Sequence, residues 1–167
     1  MKNKKEVRAF LKVMFIGLFF SCNVIAQNRI TELNTYWNVV KEKVEAGDVL
    51  GYGTTFHEDG ILVSDRGEVC YPLKEALHKW KEGLEKTKKG LTKVKLDFRF
   101  SERTGDSTTA FERGIFRHEL LDENGERVVR FIHFDALLTK KKGKWQLMLE
   151  HQKLPATKEE WLGMGKM

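Results

Sequence analysis

Apolar residues recur at steps of three and four in two segments, and this spacing predicts two amphipathic helices. The first helix is predicted from Arg29 to Ala46, and Gly47 would end it. Its apolar face consists of Ile30, Leu33, Trp37, Val40 and Val44. The second helix has Pro72 in its first turn, and its apolar face consists of Leu73, Ala76, Leu77, Trp80 and Leu84. Each helix therefore has one face to bury.

Strands are predicted after Gly90, where the apolar period changes from helical to alternating. In the first of these strands the apolar positions are Val94, Leu96, Phe98 and Phe100. Further strands run from about Thr108 to Leu121, Arg127 to Thr139 and Lys144 to Leu154. The turns "DENGE" and "KKKGK" separate the last three, which predicts antiparallel hairpins. Between the two helices, "GDVLGYGTTFHEDG" predicts a short helical turn and "ILVSD" a brief strand.

The N-terminus predicts export. A basic start is followed by the apolar run from Val13 to Phe20 and by Val24-Ile25-Ala26, which is typical of a secretory signal peptide cleaved after Ala26. The product would be periplasmic or secreted. An alternative stays open, because Ser21-Cys22 loosely resembles a lipoprotein site and lipid on Cys22 would attach the protein to a membrane.

The predicted organisation is a signal peptide at 1–26, one domain at 27–155, and a C-terminal tail at 156–167. In that tail "TKEEWLGMGKM" either forms a short capped helix or frays. The segment after residue 26 is long enough for one domain with a real core but short for two. Its stability must come from that core, because Cys70 is its single cysteine and no internal disulfide can form.

The charge balance gives no support for nucleic-acid binding. The net charge of +6 includes five basic residues and one acidic residue within 1–26, so the remainder has an excess of only two positive charges. Lys140 to Lys142 are interpreted as a solvated hairpin tip rather than an anion site, because no aromatic residues are interleaved with them. No phosphate-binding loop, nucleophile elbow or cysteine pair is present, so no cofactor is predicted.

Several sequence blocks in a fixed order resemble a known family. They are Trp37, Ala46 to Asp48, Phe56 to Gly60, Lys74 to Trp80, Ala110 to Gly114, Gly143 to Leu147, and Glu150-His151. This order resembles the SnoaL-like and ketosteroid-isomerase-like branch of the nuclear transport factor 2-like superfamily. The chain departs from the family pattern at Pro72 and Gln152, where a glycine and a tryptophan are common.

The resemblance implies an α+β, cone-shaped cystatin-like fold in which N-terminal helices pack on a curved antiparallel sheet and enclose a cavity. The superfamily includes isomerases, cyclases, hydrolases and dehydratases, and also exported or dimerising members without known catalysis. The fold therefore cannot choose the function, which must be argued from the cavity.

Strand parity suggests candidate catalytic residues. His133 and Asp135 point the same way, so the carboxylate could orient the imidazole for acid–base work. The alternative is a cross-strand ion pair or hydrogen bond on the outer face of the sheet. His151 would share a face with Trp145, Leu147 and Leu149, and the family resemblance favours it as a pocket residue. The alternative is a lone histidine that is satisfied by hydrogen bonds. Glu150 would then face the other side, where a dimer interface is the expectation.

Glu112 is the remaining catalytic candidate. It shares a strand face with Ala110, Gly114, Phe116 and His118, a mixture that suits a pocket wall. Desolvation there would raise its pKa towards that of a general base. The alternative is that Glu112 bonds one of the sheet's arginines, namely Arg99, Arg113 or Arg130.

The candidate ligand-binding residues are Trp37, Tyr52, His57, Asp59, Trp80, Phe98, Phe116 and His118. For Trp80, core packing explains the residue at least as well, because helical spacing already predicts its burial. No metal site is predicted, because the five histidines are scattered without ligand spacing. The sequence predicts an exported domain that binds a small apolar or aromatic molecule, with cofactor-independent isomerase, dehydratase or hydrolase chemistry as an option. Homodimerisation through the sheet is expected, and a non-catalytic interaction module that binds a protein partner is the alternative.

Overall fold

The computed structural model describes residues 27–165; the predicted signal peptide and Cys22 lie outside the described residues. Helix α1 occupies 27–45, and α2 (Val49–Gly53), α3 (Leu73–Lys88) and α4 (Lys158–Gly163) follow. The strands are β1 (Phe56–Ser64), β2 (Val69–Pro72), β3 (Lys93–Gly105), β4 (Thr109–Leu121), β5 (Arg127–Lys141) and β6 (Lys144–Pro155). Within this part of the chain, no helix combines the length and apolar character needed to cross a membrane.

The six strands form one sheet in the order β2-β1-β6-β5-β4-β3. The predicted hairpins β3–β4, β4–β5 and β5–β6 are confirmed as antiparallel pairs. The α+β architecture is also confirmed, but the sheet is mixed because β1 pairs parallel to β6. Sequence patterning missed β2, and it placed the start of β1 at Ile61 rather than Phe56, since glycines and polar residues interrupt the alternation there.

The inner face of the sheet packs on α1 through aromatic rings. The Trp37 ring lies 4.6 Å from Phe98, 5.7 Å from Phe100 and 5.6 Å from Phe134, measured between centroids. Phe116 joins the group at 5.7 Å from Phe134. These five rings fill the centre of the inner face, where Trp37 of α1 packs on β3 and β5.

The outer face is covered in part by α4. Thr157 and Glu160 form a capping box at the start of this helix, which confirms the short-helix alternative for the C-terminal segment. The Arg99 guanidinium lies 4.4 Å from the Trp161 ring and donates to the carbonyl oxygen of Trp161 at 2.8 Å. Ile115 on the outer face is completely buried. The far end of the outer face is left without this cover.

A bulge in β6 decides which residues face inwards. Leu138 pairs with Leu147, but its neighbour Leu137 pairs with Leu149, so Met148 is an extra residue with no partner on β5. Leu147 is 2% exposed in the core, whereas Leu149 lies on the outer face beside Leu137. Beyond the bulge, the side-chain alternation along β6 is therefore reversed.

We expect Gly114→Ala to destabilise the fold. A Cβ atom at Gly114 would meet the Arg99 carbonyl oxygen and the Phe100 Cα of the neighbouring strand, so β3 and β4 would have to move apart. Overpacking of this kind costs about 1–3 kcal/mol. Urea denaturation of the variant measures this loss.

Gly83→Ala is the matched control, because a Cβ atom at Gly83 on α3 meets nothing within 4 Å. Alanine in an exposed helix is favoured over glycine by about 1 kcal/mol, so this variant should gain stability. Equal stability of the Gly114 variant and the wild type would contradict the described packing of β3 against β4.

Candidate functional site

The predicted catalytic residues lie on opposite faces of the sheet. Glu112 faces inwards, in register with the core residue Ala136. His133, Asp135 and His151 face outwards, and Asp135 and His151 are direct cross-strand neighbours. The four side chains therefore do not converge on a common point, and no substrate atom can contact Glu112 and the histidines together.

Glu112 is fully buried and holds α1 against the sheet. One carboxylate oxygen accepts from the indole Nε1 of Trp37, and the other accepts from Nε of Arg103. Arg103 also donates to Asn34 Oδ1 on α1 at 2.5 Å. The expectation that an arginine bonds Glu112 holds, but the partner is Arg103 rather than Arg99, Arg113 or Arg130. Its contacts make Glu112 a tie between α1, β3 and β4.

On the outer face, His133 and Asp135 point the same way, as predicted, but each has its own partner. His133 Nε2 lies 3.4 Å from Glu160 Oε1 on α4. Asp135 accepts from Arg113 Nε at 2.9 Å, and Lys153 lies 2.5 Å away. Burial acts to raise the pKa of Asp135, but the hydrogen bonds from Arg113 and Lys153 outweigh it and hold the pKa below its ordinary value. These contacts match the alternative of outer-face ion pairs.

The predicted orientation of the Glu150-His151 pair is wrong, because the bulge at Met148 reverses it. His151 faces outwards, where Nε2 lies 2.6 Å from Asp65 Oδ1. Glu150 faces inwards, with the buried residues Ala136 and Leu62 directly beside it on β5 and β1. The inner face thus carries a carboxyl group that the simple alternation assigns to the outside.

Glu150 is an unusual carboxyl for its position. Its Oε1 accepts from Gln152 Nε2 at 2.6 Å, and among the described residues no lysine, arginine or histidine forms an ion pair with it. Burial raises the pKa of Glu150, and the Gln152 hydrogen bond opposes this only in part. The carboxyl, which is partly exposed, is therefore more readily protonated than an ordinary glutamate.

Two tyrosines lie near Glu150. Burial raises the pKa of both Tyr36 and Tyr52, and the charge of Glu150 adds to each shift, which places both phenols within electrostatic range of the carboxyl. The Tyr36 hydroxyl donates to the Thr55 carbonyl oxygen at 3.2 Å. The Tyr52 ring stacks on Trp80 with centroids 6.1 Å apart and planes at 20°. The raised pKa values keep both phenols in their neutral form.

Several proteins of known structure have a similar fold. Solved structures similar to this chain include an NTF-2-like protein of unknown function from Shewanella oneidensis, 17% identical, with a TM-score of 0.57 over 75% of this chain and 98% of that one. A ketosteroid isomerase-like protein from Erwinia carotovora atroseptica is 15% identical, with a TM-score of 0.57 over 76% of this chain and 95% of that one. An uncharacterised protein with a cystatin-like fold from Caulobacter vibrioides is 11% identical, with a TM-score of 0.59 over 79% of this chain and 92% of that one.

The chain has a cystatin-like fold, which it shares with these solved structures. The fold that the family resemblance implies is therefore confirmed. No family model and no curated protein sequence matches the chain. At these identities the likeness extends to the fold, and the site must be argued from the residues themselves.

Within this fold, the remaining predicted ligand residues fall into two groups. Trp37, Phe98 and Phe116 belong to the ring cluster that fills the centre of the inner face. Tyr52 is also buried in the core, whereas Trp80 and His118 are only partly buried at its margin. Burial, aided by the charge of Arg130, lowers the pKa of His118, which favours a neutral imidazole. The margin rather than the centre therefore offers groups to a ligand.

His57 and Asp59 lie at the edge of the sheet, in the irregular part of β1 between Phe56 and Ile61. With Glu58 they bring three potential metal-ligand atoms within 4.8 Å of one another. However, His57 Nδ1 accepts from the Asp59 backbone N–H at 3.1 Å, and Glu58 pairs with Lys141 at 2.7 Å. These groups are already engaged with each other and with the β5–β6 turn.

The structure also has a depression of about 450 Å³ away from the inner face. It lies at the β1–β2 turn and is lined by Val63, Ser64, Asp65, Glu68, Val69 and Cys70. Cys70 is exposed and unbonded there. None of the predicted ligand-binding residues lines this depression.

Sequence reasoning missed Glu150, Gln152 and Arg103 as inner-face groups. For Glu150 and Gln152 the missing information is the bulge, because a single extra residue exchanges the two faces of a strand. For Arg103 it is the shift in β3 pairing between Phe100 and Glu102, which turns Arg103 towards Glu112. The polar pair Glu150 and Gln152, placed after an apolar run, was the one available signal.

We expect Glu112→Ala to be strongly destabilising. The substitution leaves the Arg103 guanidinium partly buried without its counter-ion and the Trp37 N–H without its acceptor. Removing one partner of a buried pair costs about 3–5 kcal/mol. Chemical denaturation monitored by tryptophan fluorescence measures the loss.

Glu102→Ala is the control, because Glu102 also pairs with an arginine, Arg113, but both side chains are 47% exposed. Exposed ion pairs contribute about 0–1 kcal/mol. If the two variants lost similar stability, Glu112 would not be the tie that the structure describes.

Proposed function

We propose that this protein is an exported small-molecule-binding domain whose ligand contacts the inner face of the sheet at Glu150. The observation that carries the proposal is the inward carboxyl of Glu150, which has an amide partner but no cation among the described residues. Polar groups that lie among apolar side chains with part of their hydrogen-bonding capacity unused are typical of binding sites.

The ligand is proposed to lie at the margin of the aromatic cluster. Gln152 would hold the Glu150 carboxyl in place through its side-chain amide. Tyr52 and Trp80 supply a stacked pair of rings. His118 lies on the same face but six residues along β4 from Glu112, which is in register with Glu150 through Ala136, so the proposal does not include it in this site. A small apolar or aromatic molecule fits these groups better than it fits the filled centre.

Acid–base catalysis within this proposal would depend on Glu150. Its raised pKa brings the carboxyl closer to the range in which a group can both give and accept a proton near neutral pH. The outer-face residues His133, Asp135 and His151 are engaged with Glu160, Arg113 and Asp65 respectively. They do not reach the inner face, so the proposal gives them no contact with the ligand.

Export is supported by the residues of 1–26, whose basic start, apolar run and small-residue end are typical of a signal peptide. Fractionation of the producing cells, with the N-terminus of the product determined by mass spectrometry, would place the cleavage site. A product beginning at Gln27 supports the proposal, and retention of residues 1–26 would contradict it.

Binding can be tested by thermal shift with aromatic and polyketide-like compounds, both neutral and charged. Compounds that bind only the folded protein raise its melting temperature. At a ligand concentration of 100 times Kd, the free energy of unfolding increases by about 2.7 kcal/mol. We expect Glu150→Gln to change this stabilisation, because it alters the group that contacts the ligand.

His133→Ala is the matched control on the opposite face, and its ligand-induced shift should equal that of the wild type. Stabilisation that Glu150→Gln leaves untouched would remove Glu150 from the site. The absence of any stabilising compound would count against small-molecule binding altogether.

A second proposed property is homodimerisation through the outer face. One apolar row crosses four neighbouring strands there, because Phe111 pairs with Leu137, Leu137 with Leu149, and Leu149 with Ile61. Leu137 is 37% exposed and Ile61 is 41% exposed. A continuous apolar row, flanked by charges that are already paired with each other, suits contact with a second copy of the chain. A non-catalytic interaction module would use the same surface to bind a protein partner.

We expect Leu137→Lys to weaken self-association, because it places a charge in the middle of the apolar row. Loss of one buried leucine corresponds to at least about a tenfold rise in the dimer Kd. Sedimentation equilibrium measures it, and Leu50→Lys is the control, since Leu50 is 84% exposed on α2. A monomeric wild type, or equal effects of both substitutions, would contradict this interface.

A further inference from the structure

Among the strands that the structure describes, β3 lies at one edge of the sheet. On an edge strand, every second residue has a backbone N–H and C=O that no neighbouring strand uses, and these groups can pair with a strand of another molecule. β3 has 13 residues, whereas β2 at the opposite edge has four and ends in Pro72, which has no N–H. β3 is therefore the longer edge at which pairing between molecules has to be controlled.

Two side chains of α1 bind backbone groups of β3. Glu45 Oε1 accepts from the backbone N–H of Leu96 at 2.9 Å. The guanidinium of Arg29 donates to the carbonyl oxygens of Arg103, at 3.2 Å, and of Gly105. One helix thus caps β3 near both of its ends.

The register shows that these backbone groups belong to the same side of β3. Leu96 and Arg103 are seven residues apart, but Ser101 is an extra residue at a bulge and has no partner on β4. Without the bulge residue the separation is even, so Leu96 and Arg103 direct their backbone groups to one side of the strand. The Leu96 N–H is bonded to α1 rather than to β4, so that side is the free edge.

α1 runs alongside this edge in the direction opposite to β3. The two caps are 16 residues apart on α1, which is about 24 Å of helix, and the backbone groups that they bind are up to nine residues apart, which is about 30 Å of strand. The long side chain of Arg29 accounts for the difference. Between the caps, Lys41 Nζ lies 2.7 Å from Oδ1 of the outward-facing Asp97, so the Lys41 side chain reaches past the edge.

The free edge of β3 is complementary to a second copy of itself. In an antiparallel pair centred on Phe98, Leu96 of one copy lies opposite Phe100 of the other, and the edge-facing backbone groups of all three residues find partners. On the outer face, Asp97 of one copy then lies opposite Arg99 of the other. Opposite charges therefore meet at both symmetry-related positions, which favours a second copy as the occupant of this edge.

We infer that Glu45, with Arg29 near the other end of the strand, keeps the free edge of β3 closed to β3 of a second copy. While Glu45 holds the Leu96 N–H, that donor is not available to Phe100 of the other copy, and the symmetry of the pair makes this loss occur twice. The edge is distinct from the outer-face row around Leu137, so the inference does not depend on the proposed function.

The test removes a cap and follows both self-association and the Leu96 amide. All proteins carry Leu137→Lys, so that the outer-face row does not contribute. In dilute Glu45→Ala, hydrogen exchange at Leu96, measured by NMR, should be at least about tenfold faster than in this parent, because a hydrogen bond to a charged group is lost. At higher concentration, sedimentation velocity should show association that the parent lacks, and Leu96 should become protected again. Glu45→Gln keeps an acceptor oxygen and should behave like the parent.

Glu32→Ala is the matched control. Glu32 also lies on α1 and binds the sheet, through Lys140 at 2.7 Å and Trp145 at 2.9 Å, but on β5 and β6 rather than β3. This variant should leave self-association and Leu96 exchange unchanged. Arg29→Ala opens the other cap and should also permit association, which keeps the inference testable if circular dichroism shows that Glu45→Ala has lost its fold.

Association of Glu45→Ala together with renewed protection of Leu96 supports the closed edge. The inference is overturned if Glu45→Ala and Arg29→Ala remain as monomeric as the parent, or if Glu45→Ala associates while Leu96 stays unprotected. Equal association of Glu32→Ala would also overturn it, because loosening of α1 in general would then be the cause.

Discussion

The bulge at Met148 in β6 is the constraint on which the site depends. Because side chains alternate along a strand, one extra residue sends every side chain beyond it to the opposite face. Leu147 stays in the core, His151 goes to the surface beside Asp65, and Glu150 goes to the interior beside Ala136 and Leu62. Without the bulge, the inner face would present His151, and Glu150 would take part in the outer ion pairs.

The two faces of the sheet then have different chemistry. Outer-face carboxylates such as Asp135 are matched by arginine and lysine, which stabilises their ionised forms. On the inner face, Glu112 is matched by Arg103, and it joins the aromatic centre to α1. Glu150 alone is left with a neutral partner.

Sequence patterning predicted most of the fold and little of the site. Helical spacing found α1 and α3, and alternation with glycine-containing turns found β3 to β6 within a few residues, because both signals depend on local periodicity. It missed β2 and the parallel β1–β6 pairing, which are decided by contacts between distant segments. It correctly put Glu112 on the inner face and His133 with Asp135 on one side. It placed Glu150 and His151 on the wrong faces, since nothing in "QLMLEHQ" shows that Met148 has no partner on β5.

The account is tested most directly by the titration of the Glu150 carboxyl itself. Carbon-13 NMR of the glutamate side chains, assigned by comparison with Glu150→Gln, follows this group through pH without any ligand. The inward, unpaired position predicts that Glu150 titrates above the ordinary glutamate value, whereas Glu119, held by Arg127 and Arg117, titrates below it. A Glu150 midpoint at or below the ordinary value would show that the carboxyl faces water or a cation, and would contradict the inward site.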